Sequence, residues 1–348
     1  MPGQSKALTM APVRRDAIEL GRFPWIRPLV TAYANDFPAV ASLFAGNPSD
    51  PAAWRDTIAR VQRNARDRGR IVGILERQQT VRQAPRAARE AAMKLADPKA
   101  IAIVTGQQAG LFGGPLYTLL KAATAIQLAQ RVESEYGVPA AALFWVEDED
   151  HDWPEVRTAK VLDANLDLTS ITLGDLDGAG ERPVGSLVLD EQITDALATL
   201  RSTLAPTEFT DELLDTIGRA YRPGVGVARA FATWIETLLG THGLVVYEAS
   251  DVHAKPLVAD LFEQELTNPC RTARLAREAG EAMTRLGEIK PRYTQIIELR
   301  YLAGLTIEET ASTLRVSPAT IEREWAFARA WLRRELQPFT ARTKSTRR

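Results

Sequence analysis

The spacing of hydrophobic and polar positions changes several times along the chain, and each change marks an element. Ile101-Ala102-Ile103-Val104 is a β-branched apolar run with the composition of a buried parallel strand. A turn rich in Gly and Gln follows, with Gly106, Gln107, Gln108, Gly110, Gly113 and Gly114. Pro115 stands where a first helical residue would, since its missing N–H costs nothing there. From Leu116 the apolar residues Leu116, Leu119, Leu120, Ala123 and Ile126 recur at helical spacing, predicting a helix as far as about Tyr136, ended by Gly137 and Pro139. Ala140–Val146 reads as the next strand and stops abruptly in Glu147-Asp148-Glu149-Asp150-His151-Asp152. Strand, loop, helix, strand is one βαβ unit, the start of a parallel sheet. Ligands of such sheets sit beyond the carboxyl ends of the strands, where the Gly/Gln turn and the acidic cluster both fall.

Upstream, residues 1–22 are polar and mixed, 23–28 form an aromatic-pinned extended segment, and 30–44 hold short helices. A helix is expected over 52–68, capped by Asp50 or Ser49 and ended by Gly69, and a second over 71–95 with a break near Pro85. The Arg and Gln residues of this pair read as a solvated face. Downstream, 166–173 and 182–189 suggest a small antiparallel pair inserted after the second core strand. Three helices are expected over 190–204, 211–221 and 226–240, and 243–247 reads as another buried strand. That strand runs into Glu248-Ala249-Ser250-Asp251, a third strand end carrying acidic and hydroxyl groups.

From Thr284 the pattern is purely helical. A helix over 292–303, ended by Gly304, precedes Thr306-Ile307-Glu308-Glu309, a capping box that opens a second helix with Ile307, Ala311 and Leu314 inward. Val316 packs into the turn, and Ser317-Pro318 caps a third helix with the stripe Ile321, Trp325, Ala328 and Leu332. Two short helices joined by a tight turn, the second longer and basic, form a helix-turn-helix. Opposite or bordering its stripe lie Ala319, Thr320, Glu322, Arg323, Ala326, Arg329 and Arg333, the residues a DNA major groove would meet.

Composition adds an asymmetry. The 348 residues carry a formal net charge of −1, but the segment from Thr284 onward holds 13 basic and 7 acidic residues, and the rest of the chain is net −7. A basic end on a neutral-to-acidic body points to different partners for the two parts, the tail meeting a polyanion. One cysteine, Cys270, excludes an intrachain disulfide and a cysteine-rich zinc site. Neither a signal peptide nor an apolar run of membrane-spanning length is visible, so a cytoplasmic protein without membrane contact is expected.

The candidate chemistry leaves alternatives open. A turn before a helix N-terminus suits a phosphate or carboxylate, with Tyr117 and Lys121 one helical turn apart on one face and able to reach the anion. The same glycines also serve a connecting turn, and their spacing matches neither the dinucleotide fingerprint nor the P-loop. The acidic cluster suits Mg²⁺, a substrate amine, or general acid–base work with His151 as the group titrating near neutrality. It equally describes an exposed acidic loop.

The stretch VTGQQAGLFGGPLYTLLKAATAIQLA, followed by PAAALFWVEDEDHDWPEV, resembles the bacillithiol biosynthesis cysteine-adding enzymes, the BshC family. The resemblance extends to Asp36-Phe37, Gly46-Asn47-Pro48, Arg182-Pro183-Val184-Gly185 and Gly243–Asp251, covering roughly residues 20–270. It implies a Rossmann-like parallel-sheet α/β domain with insertions, and a reaction joining L-cysteine to glucosaminyl-malate. Carried over by position, Gln107, Gln108, Gly113, Gly114, Tyr117, Lys121 and Asp251 line the substrate or nucleotide pocket. Asp150, His151 and Asp152 face them as the catalytic group, the aspartates holding substrate amine or carboxylate and His151 moving protons. Amide formation implies an activated carboxylate with ATP as its source, although no ATP motif is visible; no metal ligands are assigned. From about Arg285 the chain instead resembles region 4 of extracytoplasmic-function sigma-70-type factors, a small all-α module that reads the −35 promoter element and touches core RNA polymerase. The expected organisation is a shortened ligase-like domain over 1–270, a junction over 271–284, the helix-turn-helix over 285–336 and a basic tail over 337–348. Two functions follow from it: a cysteine ligase of bacillithiol biosynthesis, or a DNA-binding transcription factor whose α/β part is inactive or senses a ligand.

Overall fold

The computed structural model describes residues 18–64, 67–267, 271–302 and 306–341. Cys270, Gly304 and the tail beyond 341 lie outside them. The chain divides into two compact units, one of residues 48–261 and one of residues 1–47 with 262–348.

The larger unit is built on a parallel sheet of β1 (Ile101–Gln108), β2 (Ala140–Glu147) and β5 (Leu244–Glu248), in that spatial order. Ile101 pairs with Ala140, and Ala142 with Leu244, so the three carboxyl ends lie along one edge. α6 (Tyr117–Tyr136) and α10 (Val227–Leu239) share a core with the even residues of β2, Ala140, Ala142, Phe144 and Val146. On the other face Ala141, Leu143 and Val245 pack with Val72 and Leu75 of α4 (Arg68–Arg82) and Ala91 and Ala92 of α5 (Arg86–Lys94). This is the two-faced covering a parallel sheet requires. α3 (Pro51–Gln62) precedes these helices with Asp50 as its cap. α7 (Trp153–Val156), α8 (Gln192–Thr203) and α9 (Thr210–Ala220) lie between the second and third sheet strands.

The sheet, its helices and the break at Pro85 match the sequence pattern; four details do not. α6 begins two residues after Pro115 and turns a different face inward: Ala122, Ala125, Ile126, Ala129 and Val132 are buried, whereas Leu116 and Leu120 are 73% and 59% exposed. Small alanines on the helix and on the strand beneath let the two backbones approach, which larger leucines would prevent. The helix expected to reach residue 68 ends at Gln62, and Gly69 lies inside α4, which Asp67 caps. The inserted antiparallel pair is β3 (Thr158–Leu162) with β4 (Leu168–Thr172). Residues 182–189 instead contain a 3₁₀ turn whose Val184 and Gly185 amides donate to the carbonyls of Asp150 and Asp148. Spent on the end of β2, those groups cannot serve a hairpin.

The fourth departure concerns part of the Arg/Gln set of α4: Arg70 and Arg77 are solvated as expected, but three others are not. Gln78, Gln79 and Arg82 are buried. Arg82 donates to both carboxylate oxygens of Glu236 at 2.7 and 3.2 Å, to Glu248 and to the Val246 carbonyl. Burial works against its charge, but Glu236 and Glu248 outweigh that and hold the guanidinium more firmly protonated than usual.

In the other unit α1 (Pro28–Asn35) and α2 (Phe37–Val40) are short, with Tyr33, Phe37 and Phe44 in ring contact. α11 (Ala259–Thr267) crosses the boundary between the units. α12 (Arg271–Ile289) includes the stretch read as a junction, and its Leu286 is fully buried with Ile297 and Ala328. α13 (Pro291–Ile297) passes into a π turn at Glu298–Leu302. α14 (Ile307–Leu314) and α15 (Pro318–Ala341) form the helix-turn-helix around Ile296, Ala311 and Ile321. The capping box at Thr306 and Glu309 is complete.

Candidate functional site

At the ends of β1 and β2 two groups of polar contacts gather several of the residues singled out in the sequence. Lys121 on α6 donates to Gln107 Oε1 at 2.9 Å and sits over the Tyr117 ring, 5.0 Å from its centre. Gln107 Nε2 donates to Tyr117 Oη at 3.2 Å. One residue on, Gln108 Nε2 donates to Asp150 Oδ2 at 2.7 Å, joining the two strand ends. That contact, with the His151 amide at 2.7 Å, holds the Asp150 carboxyl below its ordinary pKa. An ionised carboxylate, an ammonium, a phenol and two carboxamides thus share one exposed edge, a set suited to a polar, multiply hydroxylated or charged small molecule.

The glycine turn is explained by packing. Gly113 has φ +103°, and a Cβ there would lie 3.0 Å from Trp234 Nε1. The Trp234 indole donates to the Phe112 carbonyl at 3.2 Å, and the buried Tyr221 ring meets Phe112 edge-on. The Gly110, Gly113 and Gly114 amides donate within the turn, to Gln108, Gly110 and Leu111. They therefore form no open cradle for phosphate, and the cation at this edge is Lys121.

The acidic cluster disperses. Glu149 pairs with Lys255, Asp150 with Gln108, and Asp152 caps α7 by accepting the Glu155 amide at 3.2 Å. Among the described residues no three His, Cys, Asp or Glu side chains gather as metal ligands. His151 is exposed beside Asp150. Asp148 was not singled out in the sequence, yet it is completely buried and accepts from Ser250 N at 2.8 Å and Ser250 Oγ at 2.6 Å. Burial is the main reason its carboxyl is pushed up to about 6. The inward alternation of β2, extended two residues past Val146, assigns Asp148 to the core face and was the signal available for it.

Asp251 lies apart from the glycine turn's contacts. It accepts from Gln78 Nε2 at 2.9 Å and lines a cavity beyond β5. On α15, Ala319, Glu322, Arg323, Ala326, Arg329 and Arg333 are exposed, while Thr320 is half-buried beside Ser317. Arg329 stacks over Trp325.

Fold and site together define a Rossmann-like parallel α/β protein with a polar site at its strand ends, continued by a small helix-turn-helix module. The family model for the bacillithiol biosynthesis BshC N-terminal Rossmann-like domain matches residues 16–301, and that for sigma-70, region 4, matches residues 279–332. The chain belongs to the BshC family. Similar relatives are BshC proteins whose names propose a cysteine ligase. The one from Salinibacter ruber is 34% identical over 76% of this chain and 48% of its own length. That from Heliobacterium modesticaldum is 34% identical over 58% and 37%, and that from Geobacillus thermodenitrificans 30% over 78% and 50%. The chain thus spans about half the length of these relatives, or less. No helix among the described residues is long and apolar enough to cross a membrane.

Proposed function

We propose that the α/β unit acts as a cysteine ligase of bacillithiol biosynthesis, forming an amide between the carboxyl group of L-cysteine and the amine of glucosaminyl-malate, with the departing carboxyl oxygen carried off on a phosphoryl or adenylyl group drawn from ATP. The observation that carries this reading is the pair of contact groups, Lys121–Gln107–Tyr117 and Gln108–Asp150, at the strand ends of a BshC-family fold. In this reading Asp150 holds a substrate amine, Lys121 holds a carboxylate or phosphate, and His151 is the adjacent proton carrier. The glycine amides are engaged in their own turn, so a triphosphate at this edge would rely on Lys121 for charge. The test incubates the full chain with glucosaminyl-malate, L-cysteine and ATP and searches for bacillithiol by mass spectrometry. Product that disappears with Lys121→Ala and Asp150→Asn supports the reading; no product where a relative of full length makes it refutes the activity.

The sigma-70 region 4 match and the exposed α15 face support a second role, binding a −35-like promoter element and core RNA polymerase. Arginine contacts to phosphates release counterions, so affinity should fall steeply with salt. In a mobility-shift assay on −35-like duplexes, Arg323→Ala should weaken binding; an unchanged shift would count against this role.

A further inference from the structure

Beyond the carboxyl end of β5 lies a cavity of about 690 Å³, within the size range of small-molecule sites and separate from the Lys121–Gln107–Asp150 contacts. Its walls come from α4, α10, the end of β5 and the 185 and 224–226 turns. Two guanidinium groups line it, Arg77 and Arg229. Arg229 uses only its Nε, donating to both oxygens of Glu248 at 2.9 Å, and Arg77 has no hydrogen-bond or ion-pair partner among the described residues. The carboxylate of Asp251 is fixed on two sides, by buried Gln78 at 2.9 Å and by the His253 amide at 2.8 Å, and Ser250 stands beside it with its hydroxyl committed to Asp148. Gly185 closes the floor: a Cβ there would come within 2.7 Å of Ser250 Oγ.

The cavity therefore presents cationic donors and anionic acceptors together: Arg229 and Asp251 are held by the buried Glu248 and Gln78, and Arg77 stands exposed at the wall. A simple anion would meet Glu248 and Asp251, and a simple cation would meet the arginines. A molecule carrying both charges matches both sets. We infer that this cavity binds a small zwitterion, an α-amino acid, with its carboxylate on Arg77 and the free Nη groups of Arg229 and its ammonium toward Asp251. The identity of that amino acid, L-cysteine, rests on the ligase reading above; the site does not.

Isothermal titration of the full chain under reducing conditions tests it, with L-cysteine against cysteamine, which lacks the carboxylate, and 3-mercaptopropionate, which lacks the ammonium. Arg77 is exposed and has no partner among the described residues, so Arg77→Ala leaves the packing intact. Saturable binding of L-cysteine, weakened at least tenfold in Arg77→Ala and for both analogues and largely restored in Arg77→Lys, is expected. Absent binding of L-cysteine and of L-alanine alike, equal binding by the Arg77→Ala variant, or a cysteamine affinity matching that of L-cysteine overturns the site. The two readings separate cleanly. Intact cysteine binding without bacillithiol formation removes the ligase activity and keeps the site. Bacillithiol formation with an unchanged KM for L-cysteine in Arg77→Ala does the reverse.

Discussion

Arg82 offers the sharpest test of what holds the strand ends in place. Its side chain is wholly buried and bridges Glu236 on α10 to Glu248 at the end of β5, while also donating to the Val246 carbonyl at 2.7 Å. In Arg82→Met the aliphatic volume stays but the charge goes. Glu248 keeps Arg229, whereas Glu236, 1% exposed, keeps only a 3.4 Å contact from the Val246 amide. Removing one partner of a buried ion pair costs about 3–5 kcal/mol, because the remaining charge is left without compensation. For a unit of this size about 2–4 °C accompanies each kcal/mol, so the unfolding midpoint should fall by roughly 6–20 °C. Thermal unfolding followed by circular dichroism at neutral pH reads this directly. The double variant Arg82→Met/Glu236→Met removes both charges and should recover most of the loss. A single-variant cost under about 1 kcal/mol, or a double variant no better than the single, would refute the reasoning.

Three further outcomes follow from the same kind of argument. The Asp148 carboxyl is raised to about 6 from 3.8, so its stabilising contribution is complete below about pH 4 and lost as pH rises through 6; Asp148→Asn should remove about 2–3 kcal/mol of the fall in unfolding free energy between pH 4 and 7, measured by urea titration. Glu324, bound by Arg292 and Lys290, is lowered to about 2, so its contribution is present above 4.5 and lost as pH falls toward 2; Glu324→Gln should reduce amide-exchange protection across α13–α15 at neutral pH by about 1–3 kcal/mol. Gly113→Ala, at φ +103° and against the Trp234 indole of α10, should destabilise by about 1–3 kcal/mol in denaturant titration, with the fluorescence of Trp234 changed.

Much of this architecture was legible in the sequence because it depends on local periodicity. The βαβ unit, the third strand, the Asp50 cap, the Thr306 capping box and the stripe Ile321, Trp325, Ala328 are all one-dimensional patterns with one physical reading. The pairing of Gln108 with Asp150 follows from strand order alone, since adjacent parallel strands bring their carboxyl ends together. Long-range partners were not legible. Arg82 meets Glu236, 154 residues away, and Asp148 meets Ser250, 102 residues away. Nothing local distinguishes such an arginine from a solvated one.

The misread helix faces share one cause. Hydrophobic periodicity ranks positions by transfer free energy, so it put Leu116 and Leu120 inward and Gln78 and Arg82 outward. Close packing selects instead for what fits and what can be satisfied. On α6 the buried stripe is mostly alanine, with Ile126 and Val132, because it packs closely on the small Ala140 and Ala142 of the strand beneath it. On α4 a buried guanidinium and carboxamide are tolerated because β5 ends there: Gln78 donates to the Glu248 carbonyl and accepts its amide, acting as a partial neighbour for an edge strand. The cost of burying these groups is offset only where their partners are fixed. Those fixed partners, Glu248 and Asp251, are also the acceptors that line the cavity beyond β5, and Gln78, which periodicity assigned to the solvent, lines it beside them.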